Sequence, residues 1–181
     1  MTYNGSGQAP TASATSGITG ETINVTRTTA TAAGSYTSTA SCSSVSGGRA
    51  KCSNYTLTGT TKTFTIGRAS MTIPSSPADK TYTGSSQSSG ITCPSGSTAG
   101  GTTSATNAGT YTQTCTLSST TNYKWSDDTT TAKNITWKIA AKSITITANA
   151  QTITYGQNIT TGTSKVTVAT LISGHSLNSV T

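Results

Sequence analysis

Between Ala105 and Leu117 the chain reads ATNAGTYTQTCTL, a turn built on Asn107, Ala108 and Gly109 followed by strict alternation. Tyr111, Gln113, Cys115 and Leu117 share one face of the predicted strand, and Thr110, Thr112, Thr114 and Thr116 the other. Successive side chains of a strand point to opposite faces, so this pattern behind an Asn/Gly turn predicts a half-buried β-strand. The same pattern stands earlier, from Ala30 to Cys42, with Tyr36, Ser38, Ala40 and Cys42 in the corresponding places. Gln113 falls on the inner face beside Cys115, where it needs buried hydrogen-bond partners or a position at the rim.

Other landmarks recur in the same order. Tyr3, Gly5, Ser6 and Gln8 of TYNGSGQ match Tyr82, Gly84, Ser85 and Gln87 of TYTGSSQ. Asn54-Tyr55-Thr56-Leu57 matches Asn122-Tyr123-Lys124-Trp125, and Phe64-Thr65-Ile66 matches Trp137-Lys138-Ile139. An ordered series of this kind predicts an internal repeat.

The first sequence unit spans residues 1–69. Its strands are expected at Glu21–Thr26, in GSYTSTASC, in NYTLTG and in KTFTI, with a hairpin through Gly47-Gly48. The second spans 70–141 and runs MTIP, TYTGSSQ, ITC, the 105–117 stretch, NYKW and NITWKI, with Pro74 and Pro77 marking an edge or crossover segment. The third spans 142–181, where Ile144 and Ile146 precede a turn at Ala148-Asn149, followed by Ile153 and Tyr155 and then by KVTVATL. The first unit has no counterpart of MTIPSSPADK, and the third has only a first half, so both are expected to be incomplete. A β unit missing strands leaves an open edge, which neighbouring segments or copies of the chain are expected to cover.

Composition supports an all-β reading. Hydrophobic residues make up 31% of the chain and charged ones 8%. Threonine and serine supply roughly two residues in five, and β-branched threonine favours strands. A disordered Ser/Thr stalk is disfavoured by the regular spacing of Ile, Val, Tyr and Trp. The net charge of +7 is carried by single, scattered lysines and arginines, without the clustered basic and aromatic residues that nucleic-acid binding calls for. No apolar run reaches the roughly 20 residues of a membrane span. Met1 leads straight into TYNGSGQAP, so no signal peptide is expected within this segment.

TYTGSSQ, ATNAGTYT, NYKWSDDTTTAKNITWKI and ITYGQNI…LISGHSLNSVT resemble tandem bacterial immunoglobulin-like repeats, most closely the MBG-type (Big-like) repeats of very long bacterial surface proteins. The resemblance covers nearly the whole chain. It implies small Ig-like β-sandwiches, exposure at the bacterial cell surface, and a stalk or adhesin context with no catalytic residues. The cysteines, and Gln113 in place of an apolar residue, depart from the usual pattern.

Cys42 and Cys52 flank SSVSGGRAK, where a disulfide would staple a hairpin centred on Gly47. Cys93 shares parity with Ile91, and Cys115 with Tyr111, so the expected pairs are 42–52 and 93–115. Four cysteines in such a chain point to an oxidising compartment. With no C-x-x-C motif and one histidine, His175, no metal site is expected. Tyr123, Trp125 and Trp137 together offer a sugar-stacking platform. Trp137 shares parity with Ile135 and Ile139 and reads as core, Trp125 is balanced between core packing and ligand contact, and Tyr123 and Trp125 remain the candidate ligand contacts. Asp127-Asp128 offers too few oxygens for calcium and reads as a turn. An intramolecular Lys–Asn isopeptide bond is disfavoured by the shortage of acids, which are Glu21, Asp79, Asp127 and Asp128. Several Asn-x-Ser/Thr sequons, including those at Asn24, Asn54, Asn134 and Asn158, are what such a threonine content produces by chance. No serine sits in a nucleophile motif, and His175 has no acid near it in sequence.

The expected function is therefore structural and non-enzymatic: a stalk, spacer or filament/sheath building block of an extracellular bacterial surface protein, needing no cofactor. Its expected partners are neighbouring repeats or copies of itself, with no nucleic acid. The alternative is an adhesin segment that binds a glycan or host protein through inter-strand loops such as Ser126–Lys133.

Overall fold

The computed structural model describes residues 1–48 and 50–180, and the chain is all-β. Its strands are β1 (Thr22–Arg27), β2 (Gly34–Ser46), β3 (Thr61–Ile66), β4 (Ala69–Met71), β5 (Lys80–Thr81), β6 (Gln87–Ser88) and β7 (Ser97–Gly101). They continue with β8 (Ser104–Ala105), β9 (Gly109–Leu117), β10 (Tyr123–Trp125), β11 (Lys133–Ala140), β12 (Thr145–Ala148) and β13 (Val166–Ala169).

Alternation makes the long strands. On β9 Gln113, Cys115 and Leu117 are buried between exposed Thr112 and Thr116. On β11 Ile135, Trp137 and Ile139 are buried between exposed Asn134, Thr136 and Lys138. β2 follows the same rhythm with weaker burial, Ser38 being its one buried residue.

The strands form several small sheets. One has the order β1-β2-β3 and a larger one the order β5-β11-β9-β7, with the pairs β4/β10, β6/β8 and β12/β13 completing the set. β2 is long enough to serve two partners: Gly34–Thr39 pairs with β3, from Gly34↔Ile66 to Thr39↔Thr61, and its later residues pair with β1. A register shift between Asn24 and Val25 interrupts the β1/β2 ladder, the mark of a β-bulge.

The chain folds as two compact units, each assembled from separate stretches. The first comprises Met1–Ile73, Cys93–Thr98 and Thr116–Lys133, and the second Pro74–Thr92, Ala99–Cys115 and Asn134–Thr181. These stretches interleave, whereas the units read from the sequence are consecutive. The first compact unit buries Ile23, Ile66, Met71, Leu117 and Trp125, and the second buries Cys115, Ile135, Trp137 and Ile139 together with Ser89 and Gln113.

Four local expectations are corrected. Ile91–Cys93 is not a strand, and its neighbour β7 is formed by Ser97–Gly101, whose small residues carry no alternation signal. NYTLTG begins in a 3₁₀ turn at Cys52–Asn54 and continues extended without entering a sheet. The turn after β2 runs through Gly47 and Gly48 (φ 96° and 63°) but returns as that 3₁₀ turn, so it does not close a β-hairpin. β12 pairs antiparallel with β13, from Thr145↔Ala169 to Ala148↔Val166, so it does not turn back on Ile153 and Tyr155, and Tyr155 is fully exposed.

Candidate functional site

The positions matched in the sequence make the same contacts in two places. Thr2 bridges Gly67 in parallel, with Tyr3 N–H donating to Gly67 O at 2.8 Å. Thr81 pairs with Ala140 in parallel, with Tyr82 N–H donating to Ala140 O at 2.9 Å. Gln8 Nε2 donates to Thr2 O at 2.9 Å, and Gln87 Nε2 to Thr81 O at 3.0 Å. Gln8 pairs antiparallel with Ala30, and Gln87 with Ala105. Tyr36 packs on Phe64 with ring centroids 5.7 Å apart at 36°, and Tyr111 packs on Trp137 at 4.9 Å and 32°. Each of these tyrosines folds back over the glycine two residues before it, Gly34 or Gly109, where a Cβ would stand within 3.3 Å of its ring or hydroxyl. A ring laid over a strand glycine covers backbone that the missing side chain leaves bare.

The interiors differ. Gln113 is buried and hydrogen-bonded to the Ser89 hydroxyl, and its Nε2 donates to Ile91 O at 3.1 Å. A buried amide satisfied in this way avoids the cost of an orphaned polar group. In the corresponding place Ser38 is buried, with its hydroxyl donating to Thr28 O at 2.8 Å. The same offsets set Ala14 against Cys93, Ala40 against Cys115, Leu57 against Trp125, and Lys62 against Ile135. Each member on the early side is smaller or polar, and an open groove of about 320 Å³ lies among Ala14, Ser38, Ala40, Leu57 and Lys62.

Tyr123 and Trp125, the candidate ligand contacts, lie on β10, which pairs in parallel with β4 as Ala69↔Tyr123, Ser70↔Lys124 and Met71↔Trp125. Trp125 has no exposed surface, and its Nε1 donates to Thr131 O at 2.8 Å, so it has no face to offer a sugar ring. Tyr123 is half-buried, meeting Tyr3 edge-on at 5.2 Å and packing on Gly96. Burial pushes its hydroxyl pKa up, and the neighbouring Tyr3 adds to the shift.

The following loop is fixed by its acids. Asp127 accepts from Lys133 Nζ at 2.6 Å and from the hydroxyl and N–H of Thr129 at 2.8 and 3.2 Å. Those donors hold its carboxyl at about 2, below the ordinary 3.8, with the Lys133 bond the largest cause. Asp128 takes a left-handed conformation (φ 64°), donates its N–H to Trp125 O at 3.0 Å and pairs with Lys124. Both carboxylates are thus engaged by lysines, the arrangement of a turn.

Cys42 is bonded to Cys52 across a Cα–Cα distance of 5.7 Å. Arg49, within the enclosed loop, lies outside the described residues. Cys93 and Cys115 are disulfide-bonded as well, so the chain holds two disulfides and no free cysteine. A hydrogen bond that the sequence did not signal joins Tyr55 and Glu21: the Tyr55 hydroxyl donates to the Glu21 carboxylate, which raises the tyrosine pKa.

Among the described residues no group of three His, Cys, Asp or Glu side chains could hold a metal ion. His175 meets Tyr82 edge-on at 6.0 Å. Among the described residues no helix is long and apolar enough to cross a membrane. No protein-family model, curated protein or solved structure matches the chain.

Proposed function

We propose that this chain is a structural segment of an extracellular bacterial surface protein, built of tandem Ig-like β-sandwich units and acting as a stalk, spacer or filament/sheath building block. The units are 1–69, 70–141 and 142–181, with the first lacking its leading strand and the last a first half. The observation that carries this reading is the recurrence of one set of contacts. The Thr2/Gly67 and Thr81/Ala140 bridges, the Gln8 and Gln87 side-chain bonds, and the two Tyr-on-aromatic pairs occupy matched positions. Two disulfides suit an oxidising, extracellular setting. Short β units with thin cores gain much of their resistance from such staples.

A second reading keeps one observation of its own. The loop between β10 and β11 is pre-organised by the Asp127–Lys133 and Asp128–Lys124 pairs, as a recognition loop of an adhesin would be, and a glycan or host protein would be its ligand.

Stretching the chain between its termini in a single-molecule force experiment decides between a load-bearing spacer and other roles. The structural reading expects discrete unfolding steps, with longer contour increments after reduction, because the disulfides hide chain length from the force. A featureless stretch contradicts it. Saturable binding on a glycan array, lost in Asp127→Ala, supports the adhesin reading instead.

A further inference from the structure

The pairing of β4 with β10 is a template whose two halves also occur apart. In that template Ala69 N–H donates to Asn122 O at 2.8 Å and Ser126 N–H to Met71 O at 2.8 Å, which brackets the three-residue parallel register. The accepting half, Asn122-Tyr123-Lys124-Trp125, has its sequence match in Asn54-Tyr55-Thr56-Leu57. The donating half, Ser70-Met71-Thr72-Ile73, has its match in Ser143-Ile144-Thr145-Ile146. Neither Tyr55–Leu57 nor Lys142–Ile144 belongs to a strand.

Both matches show the lack of a counterpart. Around the accepting half of the template, a Cβ at Gly96 would stand 3.0 Å from Met71 Cε and 2.8 Å from the Tyr123 ring. Gly17, which matches Gly96 by the offset that relates Tyr3 to Tyr82, has nothing within 4 Å of its Cβ position. The groove of about 320 Å³ also runs along Leu57 and Thr58. On the donating side, Met71 is buried whereas its match Ile144 is 41% exposed, and Ile146 is 46% exposed. Ile146 lies on β12, paired with β13, whereas Ile144 lies on backbone outside any strand. An exposed isoleucine on such a segment is what strand addition covers: main-chain hydrogen bonds supply affinity and alternate side chains fill pockets.

We propose that Lys142–Ile144 of one copy adds in parallel to Tyr55–Leu57 of a second copy, so that copies join head to tail. The register follows the template: Lys142 opposite Tyr55, Ser143 opposite Thr56, and Ile144 opposite Leu57. Lys142 N–H donates to Asn54 O, Thr58 N–H donates to Ile144 O, and the Ile144 side chain enters the space over Gly17. Pairing stops short of Ile153 and Thr154, whose counterpart place beside Gly67 is already held by Thr2. The β12/β13 pair starts at Thr145 and stays intact. Donor and acceptor surfaces differ, so the contact is heterologous and propagates as an open chain of copies. This inference rests on the structural role proposed above and names the joint.

The test is sedimentation equilibrium of the whole chain over a wide concentration range, with two variants. Ile144→Asp disables the donor, and Thr56→Pro removes a ladder N–H from the acceptor. Circular dichroism and the retained disulfides check that each variant is folded. The wild type is expected to gain mass steadily with concentration, each variant alone to remain monomeric, and an equimolar mixture of the two to form dimers and nothing larger. A wild type that stays monomeric throughout overturns the proposal. So does association that both variants retain, since copies then meet elsewhere. The force experiment separates the two failures: discrete unfolding steps in a chain that does not associate leave the structural role standing and remove only the joint.

Discussion

Residues 1–67 and residues 80–140 make a matched set of contacts around different contents. Both stack a tyrosine on an aromatic across a strand pair, Tyr36 on Phe64 and Tyr111 on Trp137. Both fix a short parallel bridge, at Thr2/Gly67 and at Thr81/Ala140. Inside, the later region carries Gln113, Cys115, Ile135 and Trp137 in full burial, whereas the earlier one has Ser38, Ala40 and Lys62 around an open groove. Matched backbone pairing and one aromatic stack thus accompany interiors that are filled very differently. The earlier region has its staple on the rim of its long strand, at Cys42–Cys52.

The largest expected effect lies at the best-filled position. Trp125→Ala should cost about 3–5 kcal/mol, as for other large-to-small changes of a buried aromatic, while Leu57→Ala, at a half-buried site beside the groove, should cost clearly less. Denaturant unfolding of both variants checks the difference, and equal losses would break the contrast between filled and open interiors. Next in size, replacing Cys42 and Cys52 together by serine should cost about 2–4 kcal/mol, chiefly through the unfolded state. Thermal unfolding with the other disulfide intact reads this loss.

A third change probes the buried polar pair of positions. Gln113→Leu leaves the Ser89 hydroxyl and Ile91 O without the amide that satisfies them, at about 1–3 kcal/mol. Ser38→Ala removes a single bond to Thr28 O and should cost about 1 kcal/mol. Filling the groove runs the other way: Ala40→Val should add about 0.5–2 kcal/mol, as cavity-filling changes commonly do. A loss there would mean that the groove is closed in solution.

The smallest effect is electrostatic. Asp127 titrates near 2 in the folded chain against an ordinary 3.8, so its bonds to Lys133 and Thr129 stabilise the fold above pH 3.8. That contribution fades as the pH falls through about 2. Lys133→Met should flatten this acid limb of a stability–pH profile, and an unchanged slope would show the pair to be broken in solution.

Much of this frame was legible in the sequence because alternation and turns leave local signals. β9, β11, β3 and β1 stand where period-2 spacing places them, and Gln113, conspicuous on an apolar face, has the buried hydrogen bonds its position demands. β7 was not legible, since Ser97–Gly101 has no apolar alternation and is a strand only through its pairing beside β9. NYTLTG looks as strand-like as NYKW, yet only the latter meets a partner, β4. Pairing depends on what lies across the gap, a tertiary fact that local propensity does not carry. The same holds for Trp125, whose exposure turned on the Thr131 carbonyl and the β4 strand beside it.

The claim that one frame is built twice is tested most directly by amide hydrogen exchange resolved residue by residue. The Tyr3 and Tyr82 amides, which donate to Gly67 O and Ala140 O, should both be protected, as should the paired amides along β2 and β9. Protection should be weaker in the earlier region, where the interior is open. Rapid exchange at Tyr3 and along β2, with protection confined to residues 80–140, would contradict the account.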